Sequence, residues 1–274
     1  MPRHATVATE RAFEQLRFEV LVDAAIITLD RPSQRNALTP LLARELLAAI
    51  RLAEADSAVR SIVITGSGSA FCAGADLTYF RQQLEAPDGC DRFIAELLQP
   101  LGDVVRAISS SPLPVIAAVN GACAAGGFEL VLRCDIVLAT TSATFIDAHS
   151  RRGLGPAIGA TAALVASVGH HRALRTLMLS ESITAQSMFD AGLVTGVCEP
   201  DELEQAALSL TSTLAARSPR SIATMKRAAL FEQRPSLEET LENDLAEFRA
   251  EWGTSDMVEG IAAFLEGRDA AFSR

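Results

Sequence analysis

The groups best placed to do chemistry in this chain are backbone amides at the ends of two similar loops. Residues 63–77, VITGSGSAFCAGADL, pass from an apolar strand pattern through Gly66 and Gly68 into small residues and the carboxylate of Asp76. Residues 114–129, PVIAAVNGACAAGGFE, repeat the design, with Glu129 three positions after Gly126. Each reads as strand, loop and helix start. There, unpaired N–H groups and the helix dipole favour negative charge, and small side chains let a ligand come close. One N–H from each loop, aimed at one oxygen, would make an oxyanion hole. Glycines that only permit tight helix packing produce the same pattern, so spacing alone leaves both readings open. On its position alone Glu129 reads as a dipole-stabilised helix-start carboxylate.

Two nucleotide readings of the first loop fail on particular residues. A dinucleotide fingerprint needs a third glycine where this chain has Phe71, and a P-loop needs a closing Gly-Lys-Ser/Thr that is not there. The 24 Lys and Arg against 34 Asp and Glu, a formal charge of −10, also argue against a nucleic-acid partner, which requires a basic face. The five cysteines are scattered, without a CxxC pair or histidines at metal-ligand spacing. They read as free thiols of a reducing compartment, and Cys72 and Cys123 as small buried residues rather than nucleophiles. With no apolar leader at the N-terminus and no apolar run long enough for a membrane span, the expectation is a cytoplasmic protein.

Strand and helix patterns alternate to about residue 200, and only helices follow, which points to an α/β body with a helical C-terminal region. The expected division is a tail over 1–16, a core over 17–200 and a helical region over 201–274. Residues 18–30 read as a hairpin turning at Val22–Ala24. Thr39 and Pro40 form an N-cap and first-turn pair for a helix to about Ala55. RFIAELLQPLGDVVRAISSS reads as one helix, and Pro156 as the start of another that His170 and His171 close. Lys226 and Arg227 are placed on a solvated helix face, whereas Arg151 and Arg152 could equally guard a pocket or face solvent.

At this point the motifs LDRPSQRNALT, AFCAGADL, PVIAAVNGACAAGGFELVLRCD and GLGP, in this order and spacing, resemble the enoyl-CoA hydratase/isomerase (crotonase) superfamily over roughly residues 17–270. The resemblance implies an α/β fold, a crotonase-like spiral of ββα units, with a helical C-terminal trimerisation region and assembly as a homotrimer or dimer of trimers. It implies an acyl-CoA substrate that passes through an enolate, with coenzyme A entering as part of the substrate and no other cofactor. Carried over by motif, the oxyanion donors are the N–H groups of Ala73 and Gly126. The backbone of Ala73, Gly74, Ala75, Asp76 and Leu77, with Arg35 and Ala37, lines the CoA site. Arg35 then meets the CoA phosphates or lies in solvent. Where the family carries lysines that meet the CoA phosphate, this chain has Gly267 and Arg268.

In the family's hydratases Glu129 corresponds to one of two catalytic glutamates, and the other falls at His149. There a histidine either acts as acid or base near neutral pH or only lines the pocket while Glu129 works alone. Asp147, two residues earlier, would share a strand face with it and could orient the ring or raise its pKa. The implied activity is hydration of a 2-enoyl-CoA. The alternatives are another crotonase-type reaction (decarboxylation, C–C hydrolysis, dehydration or isomerisation of a CoA thioester) and a non-catalytic acyl-CoA binder. Simple isomerisation ranks below hydration, because the family's isomerases mostly rely on an acid where His149 stands.

Overall fold

The computed structural model describes residues 13–231 and 237–271, so most of the expected tail over 1–16 lies outside the described residues. β1 (Leu16–Leu21) and β2 (Ala24–Leu29) form the expected antiparallel hairpin, with Val22 at positive φ in its turn. From there the chain lays down strands in close pairs. β3 (Ser61–Gly66) leads almost at once to β4 (Ala70–Cys72), β5 (Val115–Val119) to β6 (Ala122–Ala124), and β7 (Ile136–Thr140) to β8 (Thr144–Ile146). β9 (Ile183–Thr184) and β10 (Gly196–Cys198) end the series. The first members join a six-stranded sheet in the order β1-β2-β3-β5-β7-β10, parallel from β2 onward; the second members join a four-stranded sheet in the order β4-β6-β8-β9. Each turn of the coil thus adds one strand to each sheet, and helices carry the chain back. This is the spiral of ββα units.

The apolar runs of the central strands explain why the larger sheet is covered on both faces. Ile62 and Ile64 of β3 and Val115, Ala117 and Val119 of β5 enter the main core, where the helices Pro40–Ala55 and Gln99–Ser110 pack. The alternate residues Val63, Ile116 and Ala118 meet Leu203 and Ala207 of the helix Leu203–Ala215 on the other side. Thr39 caps the first of these helices as expected, its Oγ1 accepting the Leu42 N–H at 3.1 Å. The C-terminal region is helical at Pro219–Phe231, Leu237–Glu251 and Ser255–Glu266.

Local departures from the sequence reading have identifiable causes. The single helix expected through Pro100 becomes a short helix Gly89–Phe93, a π-turn Ile94–Leu98 and the helix Gln99–Ser110. A proline lacks the N–H that an unbroken α ladder needs and crowds the carbonyl one turn earlier, which the wider turn relieves. The helix expected from Pro156 begins at Ala160, because Gly159 takes φ +93° and breaks the helical path. His170 and His171 open the helix His170–Leu179 rather than close the preceding one, since Gly169 at φ +81° separates the two. Lys226 is not on a solvated face. Its largely buried ammonium donates to the carbonyls of Ile108 (2.8 Å) and Leu113 (3.1 Å) and pairs with Asp135 at 2.7 Å, tying the C-terminal region to the sheet.

Candidate active site

The two small-residue loops do converge. A Cβ placed on Gly74 would stand 3.2 Å from the Gly126 nitrogen, and one placed on Gly126 would stand 3.9 Å from the Ala75 nitrogen. Their register identifies which amides are free. The Leu38 N–H bonds to Gly74 C=O at 2.8 Å and the Asp76 N–H to Leu38 C=O at 2.9 Å, forming a parallel bridge that turns Ala75's own N–H away from residue 38. Among the described residues, neither the Ala75 nor the Gly126 N–H has a hydrogen-bond acceptor. Each follows a residue at positive φ, Gly74 at +88° and Ala125 at +45°, which swings the next amide out of the chain's path. For Ala125, a residue with a Cβ, that conformation costs on the order of 1–3 kcal/mol.

This corrects one expected donor. Ala73 lines the cavity, but its N–H is bonded to the Arg35 carbonyl at 3.0 Å and cannot turn to a ligand. The free amide beside that of Gly126 belongs to Ala75. In both loops the free amide follows the residue at positive φ, Gly74 or Ala125.

The RNAL segment is locked to the first loop by Asn36, a residue the motif reading passed over. Fully buried and at φ +57°, it accepts the Arg31 N–H at 2.8 Å and donates to the carbonyls of Ser67 (3.0 Å), Ala70 (2.9 Å) and Phe71 (3.2 Å). Asparagine tolerates the left-handed region and carries both a donor and an acceptor, which is what this position requires. Asn36→Ala is expected to lower the unfolding free energy by about 2–4 kcal/mol, through orphaned buried carbonyls and backbone strain. Urea unfolding followed by circular dichroism measures it. Asp76 is structural as well, capping the helix Leu77–Leu84 at the Thr78 and Tyr79 N–H groups and pairing with Arg31 at 3.2 Å.

Glu129 and His149 face each other across the cavity. Glu129, 4 % exposed, sits in the short helix Gly126–Val131, and its Oε1 accepts the Ile158 N–H at 3.2 Å. Its Oε2 lies 3.8 Å from His149 Nε2. That gap is too long for a direct hydrogen bond, yet one water oxygen can stand within about 2.8 Å of both. Asp147 does contact His149, though not by sharing a strand face. β8 ends at Ile146, Ala148 turns at φ +65°, and the Asp147 carboxylate bends back over the turn. Its Oδ1 accepts the His149 backbone N–H at 3.2 Å and its Oδ2 meets Nδ1 at 2.9 Å. Nε2 is thereby the nitrogen turned to the cavity.

Electrostatics sets the two groups apart from their ordinary values. Burial pushes the Glu129 carboxyl up, only partly offset by the His149 charge and the Ile158 N–H. Burial pulls the His149 imidazole down, but the Asp147 charge and hydrogen bond, with Glu129 beyond, outweigh it and leave the ring above its usual value. Behind Glu129, Gly159 is clamped: its N–H goes to Asp244 Oδ2 at 2.8 Å and its carbonyl accepts from Arg133. This holds the peptide next to Ile158, and hence the donor that orients Glu129.

All of this opens on one cavity of about 400 Å³. Ala75, Gly126, Glu129 and His149 line it, and Phe80, Phe93 and Phe248 form an apolar wall. These three rings cluster with Trp252, the centroids of the four lying 4.5–6.2 Å apart. Ala37, Ala73, Asp76 and Leu77 also border the cavity, and exposed Arg35 stands at its edge; Gly74 serves as the turn rather than as a wall. Arg268 is paired with Glu259 at 2.6 Å and Glu266 at 2.7 Å. No cluster of three or more histidine, cysteine, aspartate or glutamate residues is placed to hold a metal ion among the described residues. Nor is any helix there long and apolar enough to cross a membrane.

The chain belongs to the enoyl-CoA hydratase/isomerase family, whose model matches residues 22–274. It is 36% identical to a probable enoyl-CoA hydratase of Rhodobacter capsulatus, over 96% of this chain and 99% of that protein. It is 32% identical to a crotonyl-CoA hydratase of Syntrophomonas wolfei, over 95% and 98%. Among solved structures, an enoyl-CoA hydratase from Mycobacterium avium subsp. paratuberculosis superposes with a TM-score of 0.85 at 29% identity, covering 96% of this chain and all of that one.

Proposed function

We propose that the protein is a 2-enoyl-CoA hydratase, adding water across the C=C of an enoyl thioester. The observation that carries this reading is the 3.8 Å gap between Glu129 Oε2 and His149 Nε2, beside two free amides aimed into the same cavity. The thioester oxygen takes the Ala75 and Gly126 N–H groups, which stabilise the charge it gains as the enolate forms. Glu129, ionised, removes a proton from water as its oxygen bonds to Cβ. His149, protonated and held by Asp147, delivers a proton from Nε2 to Cα. The cycle then leaves Glu129 protonated and His149 neutral, and one proton passed from the first to the second restores both. Coenzyme A enters with the substrate, and its phosphates fall toward Arg35 at the cavity edge. Assembly as a homotrimer is part of the same reading; exposed Met178 and Leu179 at the end of their helix are candidate contacts, and sedimentation equilibrium counts the chains.

Incubation with crotonyl-CoA and longer 2-enoyl-CoAs should consume the enoyl absorbance and yield the 3-hydroxyacyl thioester. No turnover of any chain length, with the protein folded and binding CoA thioesters, would sink the reading in favour of a non-catalytic binder.

A further inference from the structure

Of the two arginines left open by the sequence, Arg151 is exposed and Arg152 borders the cavity. Arg152 is half-buried, with its guanidinium 4.4 Å over the Phe264 ring. One nitrogen, Nη1, donates to the Ala148 carbonyl at 2.8 Å, beside His149. Among the described residues no carboxylate lies within ion-pair distance of it. Asp147 is the negative charge that acts on it, but both Asp147 oxygens are engaged by His149. Glu129 is bonded to Ile158 and faces His149; Glu251 takes the Gly155 N–H at 2.6 Å. Burial and the neighbouring Arg151 both press against its charge. A guanidinium offers five donors in a planar fork suited to a carboxylate, and leaving such a charge unpaired beside an apolar wall is costly.

An incoming anion would remove that cost. We propose that Arg152 is a specificity-determining residue that pairs with a carboxylate on the acyl group, so that the substrate class is the CoA monothioester of an unsaturated dicarboxylic acid. CoA phosphates carry the same charge, but Arg152 stands at the reacting end of the cavity, hydrogen-bonded to the residue before His149. The exposed cation at the cavity edge is Arg35. The inference rests on the hydratase reading for the reaction, and on Arg152 for the choice of acyl group.

The test compares 2-enoyl-CoAs of four, six and eight acyl carbons ending in a carboxylate with their methyl-ended counterparts. At one length or more, kcat/KM for the carboxylate form should exceed that of its counterpart by about tenfold to a hundredfold, the scale of a charge-assisted pair. Arg152→Gln should bring that ratio close to one, and Arg152→Lys should keep part of it. A wild-type preference for the methyl form at every length, or an equal loss on both forms in Arg152→Gln, overturns the proposal. Calorimetry with the saturated thioesters and with CoA alone is independent of turnover, so it separates failure here from failure of the hydratase reading. Weakening confined to the carboxylate thioesters supports the assignment. Weakening shared by CoA alone places Arg152 on the phosphates and overturns it.

Discussion

Glu129→Gln is expected to lower kcat for enoyl-CoA hydration by about 10³-fold, within the 10²–10⁴ range of a positioned acid–base group. The substitution preserves shape and keeps an oxygen for the Ile158 N–H, but it removes the carboxylate that faces His149 across the 3.8 Å gap. Because the proposed oxyanion donors are Ala75 and Gly126, thioester binding should persist, and the loss should fall on kcat more than on KM. Steady-state kinetics on the purified variant, with direct titration of a saturated acyl-CoA, separates the two. A variant that keeps most of its kcat would remove Glu129 from the water-activating role.

The second large effect belongs to His149. His149→Ala is expected to reduce kcat/KM by about 10²–10³-fold, since proton delivery to Cα loses its donor. The pH profile distinguishes this from a wall residue. Hydration needs Glu129 ionised and His149 protonated, so the rate rises as pH climbs through the titration of Glu129, which burial places above an ordinary glutamate. It falls again as pH climbs through that of His149, which Asp147 and Glu129 hold above an ordinary imidazole despite burial. The two apparent values belong to the coupled pair. Asp147→Asn removes the charge that lifts the imidazole, so the alkaline limb should move to lower pH. An alkaline limb that stays in place in both variants would assign it to another group.

Much of this was legible in the sequence because local chemistry and fold agree there. Thr39 and Pro40 marked a helix start, the apolar runs of β3 and β5 marked strands, and two similar loops marked two strand–loop–helix units. What escaped depends on relations across the chain. Motif position placed a donor at Ala73, but which amide in CAGAD is free is decided by the pairing of Leu38 with Ala75 and of Ala73 with Arg35, each nearly forty residues away. Asp147 was matched to His149 for the wrong geometry: alternation assumes a strand, and the strand had already ended at Ile146. Lys226 looked solvated because a helix pattern does not reveal that carbonyls from Ile108 and Leu113 converge on it. Asp244 gave no local signal at all, since its partner amide at Gly159 is 85 residues away.

That last contact bears on the order in which the protein comes to life. Both sheets and the peptide donors are encoded before residue 200, and chains generally acquire structure from the N-terminus during synthesis. Asp244, which fixes Gly159 and through it the amide bonded to Glu129, arrives only with the helix Leu237–Glu251. A nascent chain can therefore hold both sheets while Glu129 still lacks this alignment, which arrives only with residues 237–251.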